Sequence, residues 1–237
     1  MAECHRVPLM CVLLFGGLVL LLSPASADTR PVVVELFTSQ GCSSCPPADA
    51  LLGELARRDD VIALGFHISY WDGLAWKDPF SSQSSTERQR VYSRLFHLSQ
   101  VYTPQMVVDG AREMVGSERQ EVLAAVGDAR PEAVAPVAFA ADRRSVTIGA
   151  GAGRGSVLLV RFAQERTTRV AGGENAHRTL QDANGVEALT SLGSWDGSLL
   201  RFPIEPPAAG EGIAVLVQAA DGRMLGAAAL PLKNGHP

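Results

Sequence analysis

Between an apolar, β-branched run at residues 32–37 (VVVELF) and a leucine stripe that begins at Ala48 lies the stretch TSQGCSSCPPAD, with Cys42 and Cys45 separated by two serines and followed by two prolines. Few features of the chain narrow its choice of fold so far. A short β-branched run bounded by turn residues reads as a strand buried on both faces. Ala48, Leu51, Leu52, Leu55 and Ala56 recur at the spacing of one helical stripe, and Arg57 and Arg58 follow where positive charge suits a helix C-terminus. The cysteine pair therefore marks a strand-to-helix junction. Pro46 and Pro47 fall in the first turn, where a missing N–H costs least. A residue before proline resists the helical region, so Cys45 is expected to delay the start of the helix.

Residues 61–68 read as a second buried strand. Ser84-Ser85-Thr86-Glu87 has capping-box spacing and opens a helix carrying Val91, Leu95 and Phe96. Residues 105–108 and 111–115 are strands joined by Asp109-Gly110, the pair that two-residue hairpin turns favour, and residues 117–120 cap a third helix bearing Val122, Leu123 and Val126. The order β-α-β-α-β-β-α is that of an α/β thioredoxin-like domain with a mixed sheet, and Thr103-Pro104 precedes the third strand, where such domains hold a cis proline. From Pro131 onward, short apolar runs at 134–140, 145–148, 157–162, 199–204, 213–219 and 224–230 are separated by Gly, Asp and Pro. That pattern predicts an all-β sandwich-like domain. The expected organisation is a signal peptide at 1–27, a thioredoxin-like domain at 28–130 and a β-rich C-terminal domain at 131–237.

The signal is read from a short polar head with Arg6, an apolar run at 7–22 and small residues ending at Ala27. The run is short for a spanning helix, so no stable membrane insertion is expected after cleavage. A periplasmic or secreted location follows, and the preference for arginine over lysine hints at a bacterium. Cys4 and Cys11 leave with the signal, so Cys42 and Cys45 remain alone. An exported protein that relied on disulfide staples would spread several along the chain, and one pair closing so short a loop staples weakly. A net charge of −4 with scattered arginines offers no footprint for nucleic acid.

Thiol-disulfide exchange needs a thiolate to attack and a second thiol close by to resolve the mixed disulfide. Free N–H groups at a helix start favour the thiolate. Cys42 is expected to attack and Cys45 to resolve, with protein or small-molecule thiols and disulfides as partners and no cofactor beyond the Cys42–Cys45 couple. Glu35, in the first strand, is the candidate acid for moving the resolving thiol's proton. Three loops should meet at one rim of the sheet, bringing Tyr70, Trp71, Thr103 and Pro104 to the thiols as substrate contacts. A closed zinc site lacks its four ligands, but Cys42, Cys45 and His67 form an alternative copper-carrier set. A non-catalytic binding module is the third reading. Residues 172–179 mix glycines with polar groups, either as a solvated loop or as one reaching toward the thiols.

The stretches VVVELFTSQGCSSCPPADALLGELA, FHISYWD, WKDPFSS, TERQR, VYTPQMVVDG and GENAHRTL occur in this order. Together they resemble the exported thioredoxin-like proteins grouped as the domain of unknown function family 1223, over residues 32–230. The resemblance implies a thioredoxin-like fold with a β-rich extension and a redox role. The family pattern has a small residue where this chain has His177, and two valines and an arginine where it has Gly185-Val186-Glu187.

Overall fold

Strand β1 (Val32–Thr38) is buried along its whole length, and its residues divide by parity. Val32, Val34 and Leu36 enter one core with Leu51, Leu52 and Leu55 of α1 (Pro46–Leu55). Val33 and Phe37 enter a second core on the other face. Alternation across a strand makes this division inevitable once both faces are covered. The structure is a computed structural model and describes Met1, residues 29–129 and residues 131–230. The expected signal peptide lies, apart from Met1, outside the described residues. Among the described residues no helix is long and apolar enough to cross a membrane.

After α1 come β2 (Val61–His67), α2 (Gln83–Leu95), β3 (Gln105–Val108), β4 (Arg112–Val115) and α3 (Arg119–Asp128). Strand β2 runs parallel to β1, β3 runs antiparallel to it, and β4 closes the hairpin. The turn has positive φ at both Asp109 and Gly110, the backbone of the two-residue hairpin that their identities predict. Helix α2 starts earlier than its expected capping box. Ser82 is the N-cap and its hydroxyl accepts from the Ser85 amide at 3.1 Å, because it too stands three residues before a free helix N–H.

The expected division into a small thioredoxin-like α/β domain and a separate all-β sandwich is overturned. The remaining strands are β5 (Val137–Phe139), β6 (Ser145–Ile148), β7 (Gly155–Arg169), β8 (Thr179–Trp195), β9 (Leu200–Pro203), β10 (Glu211–Gln218) and β11 (Met224–Leu230). Four of them join the first four strands in one eight-stranded mixed sheet, ordered β11-β10-β7-β8-β2-β1-β3-β4. Only β5, β6 and β9 form a second, three-stranded sheet. Among the described residues the fold is thus a large mixed sheet with three helices. Its physical cause is a shared core: Phe162, Val186, Ala214 and Leu216 pack with Val33, Phe37, Phe66 and Tyr92. The join is β8, parallel to β2 at Gly65–Gly185. Asn184 donates to the Ala63 carbonyl at 2.8 Å. A side chain at Gly65 would stand 3.3 Å from the Ala183 carbonyl oxygen and from Leu52, so a glycine there admits the close approach.

A buried polar network also spans the two halves. Arg88 of α2 donates to both oxygens of Glu35, at 2.5 and 3.0 Å, and Tyr92 donates its hydroxyl to the same carboxylate. Gln218 of β10 donates to the Tyr92 oxygen at 2.9 Å and accepts from Arg88 at 3.3 Å.

Candidate functional site

Cys45 is the N-cap of α1, with φ −76° and ψ −37°. It takes helical angles in spite of the proline behind it, and its carbonyl accepts the first helix bonds, from Ala48 at 2.8 Å and Asp49 at 3.1 Å. The amide of Cys42 donates to the Ser39 carbonyl and that of Cys45 to the Cys42 carbonyl, which coils the stretch. The two cysteines are joined in a disulfide with their Cα atoms 5.5 Å apart. They are 1% and 0% exposed, whereas Ser43 and Ser44 between them face solvent. The Ser44 hydroxyl lies 3.3 Å from Cys42 Sγ.

The three expected loops do meet here. Trp71 covers the cysteine loop, since a Cβ on Gly41 would lie 3.5 Å from its Cβ. Its indole N–H donates to Thr103 Oγ1 at 2.8 Å. The Thr103–Pro104 peptide is cis. A Cβ built on Gly116 would stand 3.2 Å from Ala48 and 3.4 Å from Pro104, so the first turn of α1 and this proline flank one point. Tyr70 is 37% exposed. Burial raises its phenol above the ordinary range against hydrogen bonds with Gln89 and Thr103.

Glu35 is not with these groups. It shares the parity of Val33 and Phe37, so its carboxylate lies on the face of the sheet opposite α1, where Arg88 and Tyr92 hold it. The copper set fares no better. His67 presents Nδ1 to Asp78 at 2.8 Å and Nε2 to Asp182 at 3.8 Å, and both sulfurs are engaged with each other. Among the described residues no three such side chains are grouped to hold a metal.

Asp49 is the inward-turned carboxylate of α1, and the sequence reading missed it. It is four residues beyond Cys45, on the same side of α1, and its carboxylate turns inward to accept from Thr38 Oγ1 at 2.7 Å. Desolvation raises it to about 7, against the pull of His67 and of Thr38. Burial would push His67 down, but Asp78, Asp182 and Asp49 outweigh it and raise the imidazole to about 9. Burial raises Asp182, while His67 more than offsets the burial of Asp78 and lowers it. Gln40 ties the cluster to the cysteine loop, donating its amide N–H to Asp78 at 2.8 Å and its side-chain N–H to Asp182 at 2.7 Å. The signal was available: Cys45 and Asp49 are one helical turn apart, and Thr38 and His67 have the strand parity that faces α1.

The stretch 172–178, between β7 and β8, lies against the cysteine loop. Asn175, fully buried, donates through Nδ2 to the carbonyls of Gln40 at 3.0 Å and Cys42 at 2.9 Å. Its own oxygen accepts from Arg178 at 2.8 Å. Glu174 accepts from the Ser43 amide at 2.9 Å. His177 faces solvent.

A disulfide at the head of a helix, set in an eight-stranded mixed sheet and covered by a loop from the C-terminal strands, defines the class of protein. The chain belongs to the family described as "Protein of unknown function (DUF1223)", which matches residues 33–218. A crystal structure of a protein from Agrobacterium tumefaciens is similar at 33% identity and a TM-score of 0.73, over 89% of this chain and 97% of that one. HBP35 of Porphyromonas gingivalis shares the fold at 15% identity and a TM-score of 0.53, over 88% of this chain and 77% of that one. No curated protein matches.

Proposed function

We propose that the protein is a thiol-disulfide oxidoreductase that exchanges its Cys42–Cys45 couple with protein or small-molecule thiol and disulfide partners. The observation that supports this reading most is the disulfide at the head of α1, linked through Trp71 to Thr103 and Pro104. In the direction of reduction, a partner thiolate attacks Cys42 Sγ, the Cys42–Cys45 bond breaks, and Cys45 leaves with the electron pair. Asp49, poised near neutrality, supplies the proton that Cys45 takes up. The partner's second thiol then displaces Cys42, which takes up a proton in turn, and departs as a disulfide. Two electrons and two protons have passed to the cysteine pair. Export belongs to the same reading, through the apolar stretch at 7–22; a mature N-terminus at Asp28 in the purified protein is the expected check.

The experiment is insulin reduction with dithiothreitol as electron source. Turnover should vanish in Cys42→Ser, and Cys45→Ser should accumulate a mixed disulfide visible by mass spectrometry. Asp49→Asn is expected to slow resolution at pH 7 by about 100-fold; resolution at the wild-type rate would remove Asp49 from proton transfer. A purely structural disulfide is the second reading, favoured by the burial of both cysteines. Closing so short a loop contributes only about 2 kcal/mol. No turnover and no trapped species in any variant would establish this second reading.

A further inference from the structure

Besides Trp71, the tip of the β7–β8 connection packs on the loop that holds the disulfide. Its hold on the cysteine loop is specific. Asn175 bonds the carbonyls on either side of Gly41, and Glu174 caps the free amide of Ser43. The tip itself is shaped by backbone bonds from Ala176 to Gly173, from His177 to Val170 and from Arg178 to Asn175. Gly172 lies so close against the Ala75 carbonyl that a side chain there would collide with it, and Gly173 has φ +72°. The tip is therefore wedged between the cysteine loop and the 73–76 loop.

Ser43 N–H lies in the loop that leads into α1, two residues ahead of the N-cap Cys45, and Glu174 uses it while the disulfide is closed. That bond holds the Glu174 carboxyl below its ordinary range. Reduction of the disulfide creates a second claimant. A Cys42 thiolate stands next to Ser43 in sequence and seeks the same amide, because the first two positions of α1 are Pro46 and Pro47, which leave it the helix dipole but no N–H. Two anions cannot share the site at low cost.

We propose that the Glu174–Asn175 tip is a redox-dependent latch, seated over the oxidised couple and released when the Cys42 thiolate displaces the Glu174 carboxylate from the Ser43 amide. This regulation rests on the exchange reading above, since it needs the bond to open and close. Releasing the tip exposes the Cys42 thiolate to a partner disulfide, and re-oxidation of the couple by that disulfide, which leaves as a dithiol, removes the competing charge and lets Asn175 re-seat. The electrons come from a dithiol partner, which becomes a disulfide as the Cys42–Cys45 bond opens.

The test uses the full-length protein with dithiothreitol as the probe. Amide hydrogen exchange at residues 171–178 should be at least about tenfold faster in the reduced than in the oxidised protein. Asn175→Ala, which removes the two hydrogen bonds that tie the tip to the cysteine loop, should speed reduction of the disulfide by about tenfold. Glu174→Gln keeps an acceptor but not the charge, so it should favour the reduced couple by roughly fivefold at equilibrium. It should also abolish the redox difference in exchange at the tip. Glu174 is exposed, so this variant is expected to fold even if Asn175→Ala does not. Wild-type protein that reduces readily while the tip's exchange stays unchanged would overturn the latch and leave the exchange reading standing. A disulfide that resists dithiothreitol equally in wild type and in folded Asn175→Ala would overturn both.

Discussion

Glu35→Ala is expected to lower folding stability by about 3–5 kcal/mol, because it leaves the Arg88 guanidinium buried without its counter-charge. The pair is almost wholly out of water, with side chains 7% and 0% exposed. Tyr92 would lose the acceptor for its hydroxyl in the same step. Through Gln218 the network reaches β10, so the loss loosens the seam between the two halves of the sheet. Urea unfolding is the measurement, and the midpoint should fall by well over 1 M for a slope of roughly 2 kcal/mol/M. Exchange by the fraction that remains folded should keep the wild-type pH profile, since Glu35 lies on the opposite face from α1. A changed profile with intact stability would return Glu35 to the reaction.

Stability should also fall as the solution is made alkaline, and His67 sets the window. Its imidazole titrates at about 9 in the folded protein and near 6.5 in the unfolded chain. Below about 6.5 it is protonated in both states, and the whole of its contribution is present. Between those values the unfolded chain releases the proton and the folded protein keeps it, so stability declines with rising pH. Over that window the loss amounts to about 3 kcal/mol, and above about 9 the contribution is gone. Asp49 acts with the same sign at lower pH, because its folded value of about 7 exceeds the unfolded 3.8. Asp78, held low by His67, acts with the opposite sign and withdraws its contribution only in acid. Urea unfolding of wild type and His67→Gln at pH 6, 7.5 and 9 checks this. A wild-type curve as flat across the window as that of His67→Gln would show that no charged His67 supports the fold.

Both expectations concern residues whose meaning the chain's pattern disclosed only in part. The strand at 32–37, the leucine stripe, the Asp109-Gly110 hairpin and the helix start after the cysteines are all consequences of local stereochemistry, and they were legible. So was the meeting of Trp71 and Thr103 near the cysteines. Strand β8 was not. Its burial runs unevenly along TLQDANGVEALTSLGSW, and Asp182 is buried in it, so neither alternation nor hydrophobicity announced a strand. Missing it hid the join between the halves. The face of Glu35 was likewise readable from parity against Val34 and Leu36, but its partner lies 53 residues away on α2, which no local spacing indicates.

Sequence by itself determined the local elements and the place of the cysteine couple at a helix head, because backbone preferences, turn residues and helical spacing act over a few neighbours. Tertiary structure alone decided that strands from both expected domains share one eight-stranded sheet, that Glu35 faces away from α1, and that Asn175 bonds the cysteine loop. Those outcomes depend on which distant surfaces bury one another, and desolvation and charge pairing take their values only after that burial is complete.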